Sequence, residues 1–389
     1  MRIAFVVQRY GTQVSGGSEL HCRWLAEHLA KHFDVSVITT CALSYVDWRN
    51  HYPTGTKIVN GVPVRRFKVA ERRDLRRFHY ASQEVFYRTH SEADELRWLE
   101  LQGPKCPDLV SYVRDRASDY DLFIFFTYLY YTTFHSLPLV REKSLLVPTA
   151  HDEPPIRLGI FRRLFSLPRF IVYNTVTERN LVSRILGSAH VPSEIVGVGI
   201  DRSPQVDTEA FRRKHGIDGP FALYVGRIDQ WKGCPELIAY FARYRRETGD
   251  SVRLVLVGRQ EIPLPDVDGV VRLGFLSEDE KAAAIQACSV VIVPSRFESL
   301  SMVALEAGLA GKPVLANGNC HVLRDLCIES GGGLYYTCYD EFRECLRLLQ
   351  SDAELREKLG QGGRRYVETH YDWAVVERKY LEIINSLRL

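Results

Sequence analysis

The sequence has little that would direct it to a membrane, a nucleic acid or an oxidising compartment. No segment approaches the roughly 18 uninterrupted apolar residues of a transmembrane helix, and the nearest, residues 121–134, is rich in Thr and Tyr. The formal net charge is only +3, which does not predict nucleic-acid binding. The opening run MRIAFVVQRY lacks both the apolar region and the cleavage site of a signal peptide. We therefore expect a cytoplasmic protein.

Metal and dinucleotide motifs are also missing. The nine cysteines include no C-x-x-C pair, and the spacing of Cys320, His321 and Cys327 matches no common zinc pattern. The D-V-D at residues 266–268 lies in a loop bounded by Pro and Gly, so we interpret it as a solvated turn. There is no G-x-G-x-x-G, which disfavours an NAD-dependent dehydrogenase. We predict no metal site and no bound cofactor.

Short apolar runs alternate with amphipathic stretches along most of the chain. RIAFVV at residue 2, a helical pattern over residues 18–33 and DVSVITT at residue 34 give the β-α-β order of buried parallel strands. The same order begins again with FALYVG at residue 221, followed by VRLVLVG, VVRLG, SVVIVPS and PVLA. Two successive α/β units are predicted, joined near residues 198–204. Residues 70–119 are predicted to be a polar helical insertion, and residues 371–387 an amphipathic helix.

Loops that follow strands are the first candidates for a site, because open α/β sheets bind ligands beyond the carboxyl ends of their strands. Gly16 and Gly17 precede the first predicted helix, where backbone N–H groups could face an anion or simply form a tight turn. After the strand at residue 221, Gly226 permits a sharp turn, and Arg227 and Lys232 follow it. Two cations there suit a diphosphate, although a solvated pair is the alternative.

Two glutamates follow the strand SVVIVPS. Ser299 or Ser301 can cap a helix, which places Glu298 in the preceding loop and Glu306 about 12 Å along the axis. That separation disfavours two carboxyls sharing one proton. Capping could account for Glu298, but an acid inside an apolar helix needs a hydrogen-bonding partner, and ligand hydroxyls are suitable.

Three further segments each have two possible interpretations. His151 ends another strand and would face a ligand or bond to a neighbour. Tyr128, Tyr130 and Tyr131 could stack on a sugar or pack in the core. Residues 157–170, RLGIFRRLFSLPRF, could rest on an anionic membrane surface or pack their apolar side on the domain.

Taken together, these motifs resemble the retaining glycosyltransferases of family 4, which have the GT-B fold. ESLSMVALE resembles the E-x7-E motif of that family, and GRIDQWKG resembles its G-R-x4-K-G segment. GGSE, AHD, GVGID and LGFLSEDEKAAAIQACSVVIVPS also match in order. The resemblance implies an α/β GT-B fold, with two Rossmann-like domains facing across a cleft. Residues 1–200 plus 371–389 would bind the acceptor and include a C-terminal crossover helix, and residues 201–370 would bind the nucleotide sugar.

The resemblance also implies roles for individual residues. Arg227 and Lys232 would bind the donor diphosphate, Glu298 a sugar hydroxyl and Glu306 the ribose, while His151 would lie beside the donor sugar and the acceptor. The remaining implied donor contacts are Gly16, Gly17, Gly226, Ser299, Leu300, Ser301 and Met302. The chain departs from the family pattern at Ser299 and Ser301, where many members have Gly, and at Trp231.

The implied reaction is metal-independent transfer of a sugar, with retention, from a nucleotide diphosphate sugar to a hydroxyl acceptor. UDP is favoured slightly over GDP, and the acceptor would be a carbohydrate or a lipid-linked hydroxyl in glycan, polysaccharide or glycolipid biosynthesis. Peripheral membrane contact is left open, and the oligomeric state is not predicted. The alternatives are a nucleotide-sugar epimerase of the same fold and a catalytically idle binding subunit, which the complete charged set disfavours.

Overall fold

The chain divides into two compact units in a computed structural model that describes residues 1–14, 16–202 and 204–387. Unit 1 comprises Met1–Val198 together with Glu377–Leu389, and unit 2 comprises Gly199–Val376. The first division lies within the predicted junction at residues 198–204. The second lies at Glu377 rather than at residue 371, so the last predicted helix belongs partly to each unit.

Unit 1 is built on a mostly parallel sheet. Among the described residues its eight strands pair in the order β3-β4-β2-β1-β5-β6-β7-β8, and β3 is antiparallel to β4. Every side chain of β5 is buried, as expected for a central parallel strand. The strands are β1 (Arg2–Val6), β2 (Asp34–Thr40), β3 (Gly55–Val59), β4 (Val62–Phe67), β5 (Leu122–Phe126), β6 (Ser144–Val147), β7 (Phe170–Tyr173) and β8 (Ser193–Ile195).

The helices of unit 1 include the insertion predicted at residues 70–119, which forms α2, α3 and α4. Asp74 caps α2 by accepting hydrogen bonds from the backbone of Arg76 and Arg77, and Ser91 caps α3 in a reciprocal pair with Asp94. The helices are α1 (Gly17–Leu29), α2 (Leu75–Tyr87), α3 (Glu92–Gln102), α4 (Pro107–Asp115), α5 (Tyr131–Ser136), α6 (Gly159–Phe165) and α7 (Val176–Leu186).

Helix α6 packs its apolar side on unit 1. Its side chains Ile160, Phe161, Leu164 and Phe165 are all buried in the core. Tyr128 is also buried and lies edge-on to Phe161, with ring centroids 4.8 Å apart. Of the two interpretations of residues 157–170, the structure confirms packing of the apolar side on the domain, and Tyr128 is a core residue. None of the helices in the described ranges has the length and apolar character needed to cross a membrane.

Unit 2 carries a parallel sheet, in which six strands pair in the order β11-β10-β9-β12-β13-β14 within residues 204–376. Alternate strand residues contribute to two apolar clusters, so both faces of the sheet are covered. The strands are β9 (Phe221–Val225), β10 (Arg253–Val257), β11 (Val270–Gly274), β12 (Val290–Val293), β13 (Val314–Asn317) and β14 (Gly333–Tyr336). The helices are α8 (Thr208–His215), α9 (Cys234–Thr248), α10 (Glu278–Ala287), α11 (Met302–Leu309), α12 (His321–Ser330), α13 (Tyr339–Ser351), α14 (Ala353–His370) and α15 (Trp373–Ser386), which continues into unit 1.

Candidate active site

The turn from β9 into α9 holds two cations in fixed positions. Asp229 is buried, and its Oδ1 accepts a hydrogen bond from the backbone N of Lys232 at 2.7 Å. Its Oδ2 lies 3.4 Å from Nη2 of Arg227. Gly233 closes the turn with φ of 74°, and a Cβ there would lie 2.3 Å from the carbonyl oxygen of Pro294. The side chains of Arg227 and Lys232 are each 29% exposed, so a ligand can reach both.

Lys232 meets Glu298 from the loop that follows β12. The two loops are adjacent because β9 and β12 are neighbours in the sheet and their carboxyl ends share one edge. Nζ of Lys232 lies 2.6 Å from Oε1 of Glu298, whose side chain is only 11% exposed. Of the residues predicted as a diphosphate and sugar site, the structure therefore brings Lys232 and Glu298 into direct contact.

Glu306 lies on α11 and is paired with Lys281, a cation that was not among the predicted site residues. Its Oε1 lies 2.9 Å from Nζ of Lys281 on α10, and Lys281 also lies 2.7 Å from Glu278. Burial raises the pKa of Glu306, and the charge and hydrogen bond of Lys281 oppose that rise. The partner that an acid inside an apolar helix requires is therefore present in the chain itself.

The start of α11 agrees with the predicted cap. Oγ of Ser301 accepts a hydrogen bond from the backbone N of Ala304, and Met302 is the first helical residue. Ser299 and Ser301 are both buried, with Leu300 between them. Backbone N–H groups at the first turn of a helix have no intrahelical acceptor, so this loop can bind an anion through its backbone.

In unit 1 the glycine loop before α1 lies against a buried ion pair between Arg9 and Glu19. A Cβ at Gly16 would lie 2.2 Å from Oε2 of Glu19. Glu19 accepts hydrogen bonds from Nε of Arg9 at 2.9 Å and Nε2 of Gln8 at 2.8 Å. Burial would raise the pKa of Glu19, but Arg9 and Gln8 outweigh it and hold the pKa below its usual value. The carboxylate beside Gly16 and Gly17 is thus the chain's own.

His151 follows β6, as the sequence indicated. Its Nδ1 lies 3.4 Å from Oε1 of Glu153, and its side chain is 30% exposed. The neighbouring Tyr130 lies edge-on to Trp48, with ring centroids 5.4 Å apart. His151 is therefore a partly exposed histidine at the carboxyl edge of the sheet in unit 1.

The predictions missed the residues that hold the charged groups in place: Asp229, Lys281, Arg9 and Glu19. Asp229 and Lys281 lie inside the segments GRIDQWKG and LGFLSEDEKAAAIQACSVVIVPS, which were recognised as motifs. An acid within a turn that carries two cations was a signal for Asp229. Lys281 has no such signal, because an exposed ion pair with Glu278 explains it equally well.

Two kinds of sequence comparison find that the chain is similar to glycosyltransferases. Residues 207–366 match the family model "Glycosyl transferases group 1". The D-inositol 3-phosphate glycosyltransferase of Pseudarthrobacter chlorophenolicus is 32% identical over 203 residues, which are 47% of each chain. The glycogen synthase of Mycobacterium tuberculosis is 23% identical over 97% of this chain and 92% of its own. The chain thus spans about half of the first relative and most of the second.

Solved structures show the fold. Sucrose-phosphate synthase from Thermosynechococcus elongatus superposes with a TM-score of 0.76 at 18% identity, covering 99% of this chain and 98% of its own. Anabaena HepE in complex with UDP-glucose gives a TM-score of 0.71 at 17% identity, covering 99% and 100%. The chain has the two parallel-sheet α/β domains of the GT-B fold, and residues 207–366 are similar to the group 1 glycosyltransferase model.

Proposed function

We propose that the protein is a retaining glycosyltransferase of family 4 that moves a sugar from a nucleoside diphosphate sugar to a hydroxyl acceptor. The observation that carries this proposal is the contact between Lys232 and Glu298, because it joins a diphosphate-binding cation to a carboxylate suited to sugar hydroxyls. Arg227 supplies a second cation on the same turn. Glu306 would accept a hydrogen bond from a ribose hydroxyl, and its contact with Lys281 would weaken as a result.

Donor binding would exchange the partners of these ion pairs. In the structure, the Lys232 ammonium is paired with Glu298 and the Arg227 guanidinium lies near Asp229. A diphosphate offers both cations several anionic oxygens, and guanidinium and ammonium groups bind phosphate well. Glu298 released from Lys232 would then accept a hydrogen bond from a hydroxyl of the donor sugar.

The proposed step breaks the bond between the anomeric carbon of the sugar and the diphosphate oxygen. The acceptor oxygen forms the new bond on the same face, and its proton passes to the departing diphosphate. Arg227, Lys232 and the backbone at the start of α11 would stabilise the negative charge that develops on the leaving group. His151 is proposed as the residue of unit 1 that serves the transfer step. Because the chain supplies these positive charges itself, we propose that the reaction requires no metal ion. Adding a chelator to the assay tests this proposal, and activity should be retained.

The donor base and the acceptor class are also proposed. UDP is favoured over GDP, and the binding of UDP-glucose by HepE, a protein of the same fold, supports that choice. A carbohydrate or a lipid-linked hydroxyl in glycan, polysaccharide or glycolipid biosynthesis is the proposed acceptor. We also propose a cytoplasmic location, with or without peripheral membrane contact.

A thermal-shift panel of nucleoside diphosphates and their sugars tests the proposal, followed by a transfer assay with the donor that stabilises the protein. A ligand present at about 100 times its Kd should stabilise the fold by about 2.7 kcal/mol. Transfer with retention confirms the function. Interconversion of nucleotide sugars without any acceptor would identify an epimerase, and donor binding without turnover would identify an idle binding subunit; either result overturns the proposal.

A further inference from the structure

Glu178 is a buried carboxylate of unit 1 that the donor chemistry does not use. It lies in the first turn of α7 and is 1% exposed. Its Oε1 accepts a hydrogen bond from the backbone N of Ala150 at 2.5 Å, and its Oε2 accepts one from the backbone N of Asn174 at 2.6 Å. Ala150 directly precedes His151. One carboxylate therefore joins the segment after β6, which presents His151, to the segment after β7.

The backbone that leads to His151 is strained. Thr149 has φ of 48°, and Thr127, which follows β5, has φ of 66°. Residues branched at Cβ rarely adopt this left-handed conformation. Oγ1 of Thr149 donates a hydrogen bond to Oγ1 of Thr127 at 3.1 Å, which ties the two strained residues together. Strain of this kind persists only where neighbouring groups fix the backbone, and it concentrates at functional sites.

The electrostatic surroundings of Glu178 contain few charges. The titratable groups near it are His151, Tyr128 after β5, Tyr173 in β7 and Tyr380 on α15. Its negative charge is therefore stabilised by the backbone N–H groups of Asn174, Ala150 and Thr175 and by the imidazole of His151.

The protonation of Glu178 follows from these contacts. Burial raises the pKa of its carboxyl to about 7, although the hydrogen bonds from Asn174 and Ala150 and the nearby His151 act to lower it. The N–H groups of Ala150 and Asn174 bond to different oxygens of Glu178, and only the ionised carboxylate has two oxygens that both accept without carrying a hydrogen. In a protonated carboxyl the O–H group, and in glutamine the NH2 group, would face one of the two N–H groups. That N–H group would then lose its acceptor.

We propose that Glu178 is a positioning residue for His151, because its ionised carboxylate holds the N–H of Ala150 and so fixes the segment that presents the imidazole. This inference rests on the proposed function, in which His151 serves the transfer step. Glu178 itself touches no reacting group. A glutamate in the first turn also caps its own helix, and the experiment must separate that role from positioning.

The first test compares Glu178→Gln with Asp94→Asn, which weakens the helix cap of α3 in the same unit. We expect Glu178→Gln to keep its donor affinity, to lose about 100-fold in kcat, and to lose the acid limb of the pH profile, because a small misplacement of a catalytic group costs that much. Asp94→Asn should change neither kcat nor the profile. Wild-type kcat and pH profile in folded Glu178→Gln would overturn the proposal.

The second test needs no activity. The imidazole of His151, assigned by comparison with His151→Asn, is titrated by NMR in the wild-type protein and in Glu178→Gln. In the wild type we expect the amide signals of Ala150 and Asn174, which bond to Glu178, to inflect near pH 7 and the imidazole signals of His151 to follow the same inflection, which the variant should lack. A wild-type His151 imidazole that does not follow the inflection of the Asn174 amide would overturn the inference, even if Glu178→Gln fails to fold. A wild-type protein that transfers no sugar would defeat the proposed function, while this titration would still decide the role of Glu178.

Discussion

Lys281 and Glu306 form an ion pair between α10 and α11, with Nζ and Oε1 2.9 Å apart. Their side chains are only 17% and 14% exposed, so little water screens the pair. Lys281 thereby permits a carboxylate to lie in a helix whose other side chains are mostly apolar. The ion pair of the proposed ribose site therefore also affects the stability of unit 2.

Replacing Lys281 with Met should make stability depend on pH. Without the ammonium group, the folded-state pKa of Glu306, already above its ordinary value of 4.5, should rise further. A carboxyl with a raised folded pKa costs stability once the pH exceeds its unfolded value, because folding then opposes ionisation. We expect a small deficit at pH 5 and about 2 kcal/mol at pH 8, measured by denaturant unfolding.

The double variant Lys281→Met/Glu306→Gln is the control for that prediction. It removes the buried charge together with its partner, so the pH-dependent part of the deficit should disappear. A Lys281→Met deficit that is equal at pH 5 and pH 8 would show that lost packing, rather than an unpaired carboxylate, causes the destabilisation.

Arg227→Ala and Lys232→Ala should each lower kcat/KM by about 100-fold or more, because each removes a charge that stabilises the leaving diphosphate. Arg296→Ala is the matched control: Arg296 lies in the loop between β12 and α11, pairs with Glu236 at 2.7 Å and has a side chain that is 60% exposed. Steady-state kinetics should show less than about a twofold change for this control. Near-normal activity in both site variants would refute the diphosphate assignment.

Glu298→Gln and Glu306→Gln should separate transfer from nucleotide binding. Glu298→Gln removes the carboxylate proposed to grip the sugar, so kcat should fall by about 100-fold while nucleoside diphosphate affinity stays nearly constant. Glu306→Gln should raise the Kd for the nucleoside diphosphate by about tenfold, since one hydrogen bond from a ribose hydroxyl to a charged group is lost. Calorimetry and kinetics measure the two effects. If each variant shows the effect expected of the other, the two roles are reversed.

Gly233→Ala should destabilise unit 2 and distort the turn that carries Lys232. The new Cβ would lie 2.3 Å from the carbonyl oxygen of Pro294 at a φ of 74°. Gly216→Ala is the control, because Gly216 has φ of 60° with no atom within 4 Å of the added Cβ. Thermal unfolding should show a loss of about 1 kcal/mol for Gly216→Ala, from backbone strain alone, and a larger loss for Gly233→Ala. Equal losses would mean that Pro294 moves away at little cost.

The sequence predicted the parts of the fold that local patterns encode. Buried strands such as β5 and β12 are continuous apolar runs, and the Ser301 cap follows from a serine before an apolar helix. The edge strand β3 was not predicted, because three of its five side chains are exposed and no alternation marks it. The family resemblance added the GT-B fold, which the structural comparisons bear out.

Partners distant in sequence could not be predicted. Lys281 lies 25 residues before Glu306, and Glu178 lies 28 residues after Ala150. An acid in the first turn of a helix usually indicates a cap, so nothing in the local sequence around Glu178 points to His151. The residue roles at the site remain predictions, which the variants described above test.

The C-terminal half of α15 has a consequence for how the chain folds during synthesis. Tyr380 and Ile384 are fully buried, Nζ of Lys379 donates to the carbonyl oxygen of Ile195 at 2.9 Å, and all three belong to unit 1. Residues 199–376 are contiguous and can fold as soon as they leave the ribosome. Unit 1 is synthesised first but completes its core last, so a nascent chain that stalls before residue 377 would expose apolar surface to chaperones.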